Sequence, residues 1–308
     1  MRVIYLCPWT SESGGIQVLY EHVRLLRKNG IDALLGAPEQ FQRCTWFDND
    51  PKKAPGIDNV FAQLRDDDVL VVPEICVGAE LLDNVAATRI ALVQNPDLLT
   101  APLDEYAATI VPTPVLKPWL EGVAGGAAPI HVVPGFLHNT LVRAPRRFTR
   151  NRPRALIVDR PSKHRGEPVR MRDRLTADAV MDITYIDQAM SRDRFTDLFR
   201  QHDIYLHLSY PEGFPISVME AFGAGCLVVG FSGRGGLEFM RNGQNCWVAP
   251  DGDFDGALTQ LHNALDSSKD ERDAMLMAAR ATATAYPEHD TATALHTVLR
   301  QLHLEEVR

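Results

Sequence analysis

The residues whose types and spacing can do chemistry are concentrated in DIYLHLSYPEGFPISVMEAFGAGCLVVGFSGRGG, residues 203–236. An apolar strand reaching about Ser209 runs into Tyr210, Pro211, Glu212 and Gly213, a turn composition, and a helix is expected from Phe214 or Pro215. Proline in a first helical turn loses nothing, because its missing N–H has no intrahelical partner there. The N–H groups of Gly213, Phe214 and Ile216 should then point out of the helix start, an anion-attracting end suited to sugar hydroxyls or phosphate oxygens. Glu212 precedes that end and Glu220 follows it by a little over two helical turns, so both carboxylates can lie near one face. Carboxylates accept hydrogen bonds from pairs of vicinal hydroxyls, such as those of a ribose or a hexose. The spacing alone favours a helix-start charge and an ordinary surface glutamate.

A second candidate is IVDRPSKHRGE, residues 157–167, a strand end followed by Arg160, Lys163 and Arg165. Cations beside a helix start suit a diphosphate, whose leaving-group charge must be stabilised. They sit within a wider basic stretch, 143–174, where Lys and Arg far outnumber Asp159, Glu167 and Asp173. That stretch reads either as a solvated linker or as a positive rim receiving a phosphorylated ligand. In the first half, SESGGIQVLYEH places Gly14 and Gly15 between a strand and a helix, where a ligand can approach backbone N–H groups closely.

Positioning these residues requires parallel strands. RVIYLC, IDALLG, DVLVVPE, RIALVQN, ATIVPT and PIHVVP are short apolar runs bounded by turn residues, with an amphipathic helix over 15–30 and a helical stretch over 114–126. Apolar runs of that length suit strands covered on both faces. A Pro/Arg-rich segment at 134–153 breaks the rhythm, which then restarts with RALIVD, MDITYI, DIYLHLS, CLVVGF and NCWVAP as strands. Helices are expected near 166–178, 191–202, 215–224, 235–241 and 254–267, and a helical end from about 269. The expectation is an α/β chain of two Rossmann-like domains facing across a cleft: 1–150, 151–285, and a terminal helix within 286–308.

The chain has 308 residues, enough for two domains, and 45% of them are hydrophobic. A net charge of −8 disfavours a nucleic-acid binder. The cysteines (Cys7, Cys44, Cys76, Cys226 and Cys246) form no metal or disulfide pattern, which points to free thiols in a reducing, cytoplasmic setting. No signal-peptide pattern opens the sequence and no apolar run approaches the ~18 residues of a membrane span. Asp66-Asp67-Asp68 imitates a metal-binding acidic motif but precedes a strand and reads as a solvated turn, so no metal site is expected. SxSGG is a poor dinucleotide fingerprint.

The run EGFPISVMEA at 212–221, with GAGCLVVGFSGRGGLEFM after it, resembles the donor site of the retaining GT-B glycosyltransferases of family 4 (glycosyl transferases group 1), with its Glu-x7-Glu spacing. The resemblance implies that Glu212 contacts the donor sugar, that Glu220 holds the nucleotide's ribose, and that backbone from Gly213 through Phe214 and Pro215 to Ile216 holds sugar and diphosphate oxygens. The family's R-x4-K-G loop is matched by Arg160 and Arg165-Gly166, with Lys163 two residues early. A second alignment sets Pro161–His164 on the Pro-Arg-Lys-Arg loop of some members. Either way Lys163, Arg165 and Arg160 are the catalytic cations implied, and Gly14 and Gly15 face the donor phosphates. Where many members carry a histidine near the acceptor, this chain has Gln94, Asn95 and Asp97, and His131, His138 and His164 are the substitutes on offer. The resemblance further implies a terminal helix crossing back to the first domain, a nucleotide sugar as donor substrate with no cofactor, and front-side transfer to a glycan, lipid-linked or small-molecule hydroxyl. The cluster at 143–154 can also meet anionic lipid at the inner membrane face, without a hydrophobic anchor. A catalytically silent scaffold homologue and a sugar-nucleotide epimerase fit the same motifs.

Overall fold

The computed structural model describes residues 1–8, 13–38, 56–83, 85–124, 128–137, 142, 152–159, 167–177, 181–188 and 190–306. They form two compact units, Met1–Gly135 with His289–Arg308, and Phe136–Glu288.

The first unit is built on β1 (Val3–Leu6), β2 (Ala33–Gly36), β3 (Val69–Pro73), β4 (Thr88–Leu92), β5 (Ala108–Val111) and β6 (Ile130–Val132). All neighbours run parallel, in the order β2-β1-β3-β4-β5-β6. The second unit has β7 (Arg154–Val158), β8 (Asp182–Ile186), β9 (Ile204–His207), β10 (Leu227–Phe231) and β11 (Trp247–Ala249), again parallel, in the order β11-β10-β9-β7-β8. These are the apolar runs expected from the sequence. They need covering on both sides, because alternate residues of each strand are apolar and face opposite ways.

The cover comes from nine helices among the described residues. They are α1 (Gly14–Lys28), α2 (Ile57–Ala62), α3 (Lys117–Val123), α4 (Glu167–Ala177), α5 (Arg192–Gln201), α6 (Ile216–Ala224), α7 (Phe254–Asp266), α8 (Lys269–Thr284) and α9 (Glu288–Glu306). In the first unit Ile4, Leu6, Leu70, Val72 and Ala91 pack with Val60 of α2 and Leu120 of α3. On the opposite face Tyr5, Val71, Ile90 and Ile110 surround one small apolar cavity with Leu26 of α1 and Leu295, Val298 and Leu299 of α9. The hydroxyl of Thr291 donates to Pro134 O at 2.8 Å and ties the start of α9 to this unit. In the second unit Ala155, Ile157, Leu206 and Val229 face α4 and α7, while Leu156, Tyr205 and Val228 face α5 and α6. None of the described helices is long and apolar enough to cross a membrane.

Two local expectations need correcting. The helix expected over 235–241 is a single 3-10 turn, Gly235–Glu238. Its two glycines are poor helix formers, and the N–H of Gly235 donates to Glu212 O and Gly233 O instead of starting a helix. The acidic triplet is a turn with Asp66 and Asp67 exposed, but Asp68 is not solvated. Asp68 is fully buried, and takes hydrogen bonds from the Arg2 N–H and guanidinium and from Arg65. Burial opposes its ionisation, but those donors prevail and hold its carboxyl well below the usual range. It therefore fastens the start of β1 to the turn before β3.

Candidate functional site

In an open parallel sheet, ligands bind beyond the carboxyl ends of the strands where the strand order reverses. In the second unit β7 comes first, β8 lies on one side of it and β9 on the other, so this point falls between the loops after β7 and β9. Those loops carry the two motifs singled out above. The loop after β7 opens with Asp159, buried, whose N–H donates to Ile186 O at 2.8 Å and whose Oδ2 accepts the Tyr185 hydroxyl. The Arg172 guanidinium lies 4.8 Å from the centre of the Tyr185 ring. Arg160, Lys163, His164 and Arg165, which follow Asp159, lie outside the described residues, as does His138.

The loop after β9 is fixed by a second loop, the one after β10. Glu212 N–H donates to Gly233 O at 2.7 Å, and Gly235 N–H returns a bond to Glu212 O at 3.0 Å. Between them Arg234 takes the unusual backbone angles φ 72 and ψ −62 and forms a bridge with Glu212. A Cβ on Gly235 would lie 1.7 Å from the Gly213 carbonyl oxygen, so only glycine allows the two loops to touch. Behind them Asp251 Oδ1 accepts the Gly233 N–H at 2.9 Å. The Glu212 carboxylate, half-buried, takes the Ser209 hydroxyl at 2.5 Å. Ser209, Asp251 and Gly235 were not singled out from the sequence as parts of a site. The glycines of GFSGRGG were the visible sign that two backbones meet there.

Pro215 caps α6, which begins one residue later, and no side chain caps it. One part of the expected donor cluster fails: the Ile216 N–H is spent on Phe214 O at 2.8 Å, because the chain tightens ahead of the helix. The N–H groups of Gly213 and Phe214 make no backbone hydrogen bond among the described residues. Phe214 itself is anchored, its ring 5.3 Å from Phe239 and 5.8 Å from Tyr286. Glu220 lies on the inner side of α6 and is 1% exposed, so it is not a surface glutamate. A carboxylate so deeply buried needs partners to stay charged.

The first unit has its own reversal point, between β1 and β3. Gly14 and Gly15 open α1 there, behind the N-cap Ser13, and a Cβ on Gly14 would meet nothing within 4 Å. Gln94, just beyond β4, donates to Gly15 O at 3.2 Å. Glu74, directly after β3, was not singled out from the sequence. It is 5% exposed, its Oε1 accepts the Asn95 N–H at 3.1 Å, and its Oε2 is buried with no partner among the described residues. Burial pushes its pKa up to about 7, against the backbone N–H groups of Glu74, Gln94 and Asn95, which favour the charged form. A glutamate closing the run VLVVPE was the available signal, since the carboxyl end of a parallel strand is where a polar residue meets a ligand. His131 sits half-buried on β6. Among the described residues no group of three or more His, Cys, Asp or Glu is arranged to hold a metal ion.

Residues 166–282 match the family model described as glycosyl transferases group 1, a stretch that lies within the second unit. No curated protein matches the chain. Among solved structures, it is similar to sucrose-phosphate synthase from Thermosynechococcus elongatus, with 13% identity, a TM-score of 0.71, and 99% of this chain and 100% of that one covered. It is also similar to Anabaena HepE in complex with UDP-glucose, at 13% identity and a TM-score of 0.73, covering 98% of this chain and 100% of that one. The apo structure of OtsA matches at 12% identity with a TM-score of 0.67, over 98% of this chain and 99% of the other. At such identities the likeness shows the fold, two Rossmann-like domains of GT-B type. The family match adds that residues 166–282 are similar to glycosyl transferases group 1.

Gly235→Ala forces a methyl group onto the Gly213 carbonyl and should destabilise the protein by about 2–4 kcal/mol in urea unfolding; a loss below about 1 kcal/mol would mean the two loops are not locked. Glu74 makes stability depend on pH. Below about pH 4.5 both folded and unfolded chains hold its proton; as pH rises to 7 only the unfolded chain ionises, so stability falls, by up to about 3 kcal/mol. Glu74→Gln should therefore unfold at higher urea than wild type at pH 8 and match it at pH 4. An offset that is the same at both pH values contradicts the raised pKa.

Proposed function

We propose that the chain transfers a sugar, with retention of anomeric configuration, from a nucleotide-sugar donor to a hydroxyl of a glycan, lipid-linked or small-molecule acceptor. The observation that carries this is the double loop at the reversal point of the second unit. There backbone bonds hold Glu212 against Gly233 and Gly235, at the start of a helix that carries the buried Glu220. Glu212 takes hydroxyls of the donor sugar, Glu220 takes the ribose, and the N–H groups of Gly213 and Phe214 take sugar or diphosphate oxygens. Pro215 and Ile216 shape that turn and set its pitch. In the first unit, Gly14 and Gly15 admit the donor phosphates close to the N-terminus of α1.

The chemistry breaks the bond from the anomeric carbon to the phosphate oxygen and forms one to the acceptor oxygen on the same face. The acceptor's proton passes to the leaving diphosphate. Lys163 and Arg165, with Arg160, neutralise the charge that builds there, so the reaction needs neither a metal nor a further cofactor. UDP is the first nucleotide to test, because HepE has been seen with UDP, with UDP and glucose, and with UDP-glucose, and TarM with UDP. Cys7, Cys76, Cys226 and Cys246 are free thiols, in keeping with a cytoplasmic site of action. The basic cluster at 143–154 is the segment suited to peripheral contact with anionic lipid.

A thermal-shift series with UDP, GDP, dTDP, ADP and CMP tests the reading. One nucleoside diphosphate at about a hundred times its dissociation constant should stabilise wild type by roughly 2.7 kcal/mol. It should not stabilise Glu220→Gln. If none stabilises wild type, a catalytically silent scaffold becomes the better account; if one protects both proteins equally, Glu220 does not hold the ribose.

A further inference from the structure

The double loop carries a cation that the donor chemistry above does not use, and its backbone is strained. Among the described residues Arg234 is the only one other than glycine with a positive φ. Its angles, φ 72 and ψ −62, and the 3.1 Å bond from Gly235 N–H to Gly233 O make it the centre of a γ-turn of the rare, strained hand. Glycine would relieve that strain. The three residues around it are glycine for want of room. A Cβ on Gly233 would lie 2.7 Å from Glu212 Cβ, one on Gly235 1.7 Å from the Gly213 carbonyl oxygen, and one on Gly236 2.8 Å from Met240 Sδ. The loop is thus glycine wherever a side chain would collide, and arginine where the backbone itself would favour glycine. The 3-10 turn asks of residue 234 a carbonyl, which accepts the Leu237 N–H at 3.0 Å, and glycine would supply that equally. Strain kept at a binding loop points to a use for the side chain.

Arg234 is exposed, and its bridge to Glu212 sets the two backbones one strand spacing apart, about 5 Å. The sheet order fixes the side. β10 lies beyond β9 as seen from β7, so Arg234 flanks Glu212 on the side away from the loop after β7, to which the diphosphate cations belong. That is the sugar end of the donor. The carboxylates of the double loop already accept hydrogen bonds, Glu212 from Ser209 and Asp251 from the Gly233 N–H. We propose that Arg234 selects an acidic sugar, its guanidinium pairing with a carboxylate or phosphate group on the sugar whose hydroxyls Glu212 takes. Paired guanidinium N–H groups match either anion in a two-bond fork, which a neutral hexose does not offer. This rests on the reading of Glu212 as the donor-sugar residue and adds the class of sugar transferred.

The test compares equilibrium binding to the full chain within matched sets: UDP-glucuronate against UDP-glucose by calorimetry, and methyl α-glucuronide against methyl α-glucoside by ligand-observed NMR. Glucose 6-phosphate against glucose, also by NMR, tells a phosphorylated sugar from a uronic acid. In at least one set the acidic member should bind wild type about tenfold more tightly than the neutral one. Arg234→Gly should lose that preference and keep the wild-type response to UDP. It should also unfold at a urea concentration no lower than wild type, because glycine relieves the turn. Equal affinities in every set, a preference that survives in Arg234→Gly, or a lower urea midpoint for that variant overturns the proposal. The wild-type comparison needs no variant, so it decides even if Arg234→Gly folds poorly. A parallel UDP titration separates the two readings. If UDP binds and no acidic sugar is preferred, the role of Arg234 fails and the donor site stands. If an acidic sugar is preferred through Arg234 and UDP does not bind, the proposal stands and the choice of nucleotide falls.

Discussion

The contact on which the rest of the site depends is backbone on backbone: Glu212 exchanges hydrogen bonds with Gly233 and Gly235, with no side chain between the two loops. Loops at strand ends are ordinarily the mobile part of an α/β domain. Here each is the other's hydrogen-bonding partner, and Asp251 holds one of them from behind. The direction of the Glu212 side chain, the open N–H groups of Gly213 and Phe214, and the start of α6 are set together as a result. A site fixed by main-chain geometry is also pre-organised, which suits transition-state stabilisation by donors that need not move.

That lock works only because the strands beneath it are held in register. Both sheets are wholly parallel and their central strands are buried on both faces, so strand ends cannot slide without exposing Leu206, Val229 or their neighbours. Parallel order in turn places every carboxyl end on one edge of its sheet. In each unit the order reverses next to the first strand, and the polar residues gather at those two reversals: Glu212 and Asp159 in one unit, Glu74 and Gln94 in the other. Chemistry and topology thus have one cause.

The sequence was most informative where a local rule had little competition. Apolar runs such as ALIVD and LVVGF could only be buried strands, and Gly30, with φ 81, ends α1 where the pattern stops. The Glu-x7-Glu run was legible as a motif, but its spacing could not tell a surface Glu220 from the buried one, because burial is decided by what packs on α6 from elsewhere in the chain. The 3-10 turn at Gly235 was misread for the same reason, since its bonds go to Glu212, more than twenty residues away. Asp68 looked solvated because its partner Arg2 lies 66 residues earlier. Glu74 went unnoticed because a single glutamate after a strand has no pattern to recognise; only the sheet order places it beside Gln94 and Gly15.

The most direct test of the account is a crystal structure of the protein with UDP bound. The account predicts ribose hydroxyls on the Glu220 carboxylate and diphosphate oxygens within hydrogen-bond distance of the Gly213 and Phe214 N–H groups. UDP bound elsewhere, touching neither Glu220 nor the start of α6, would contradict it.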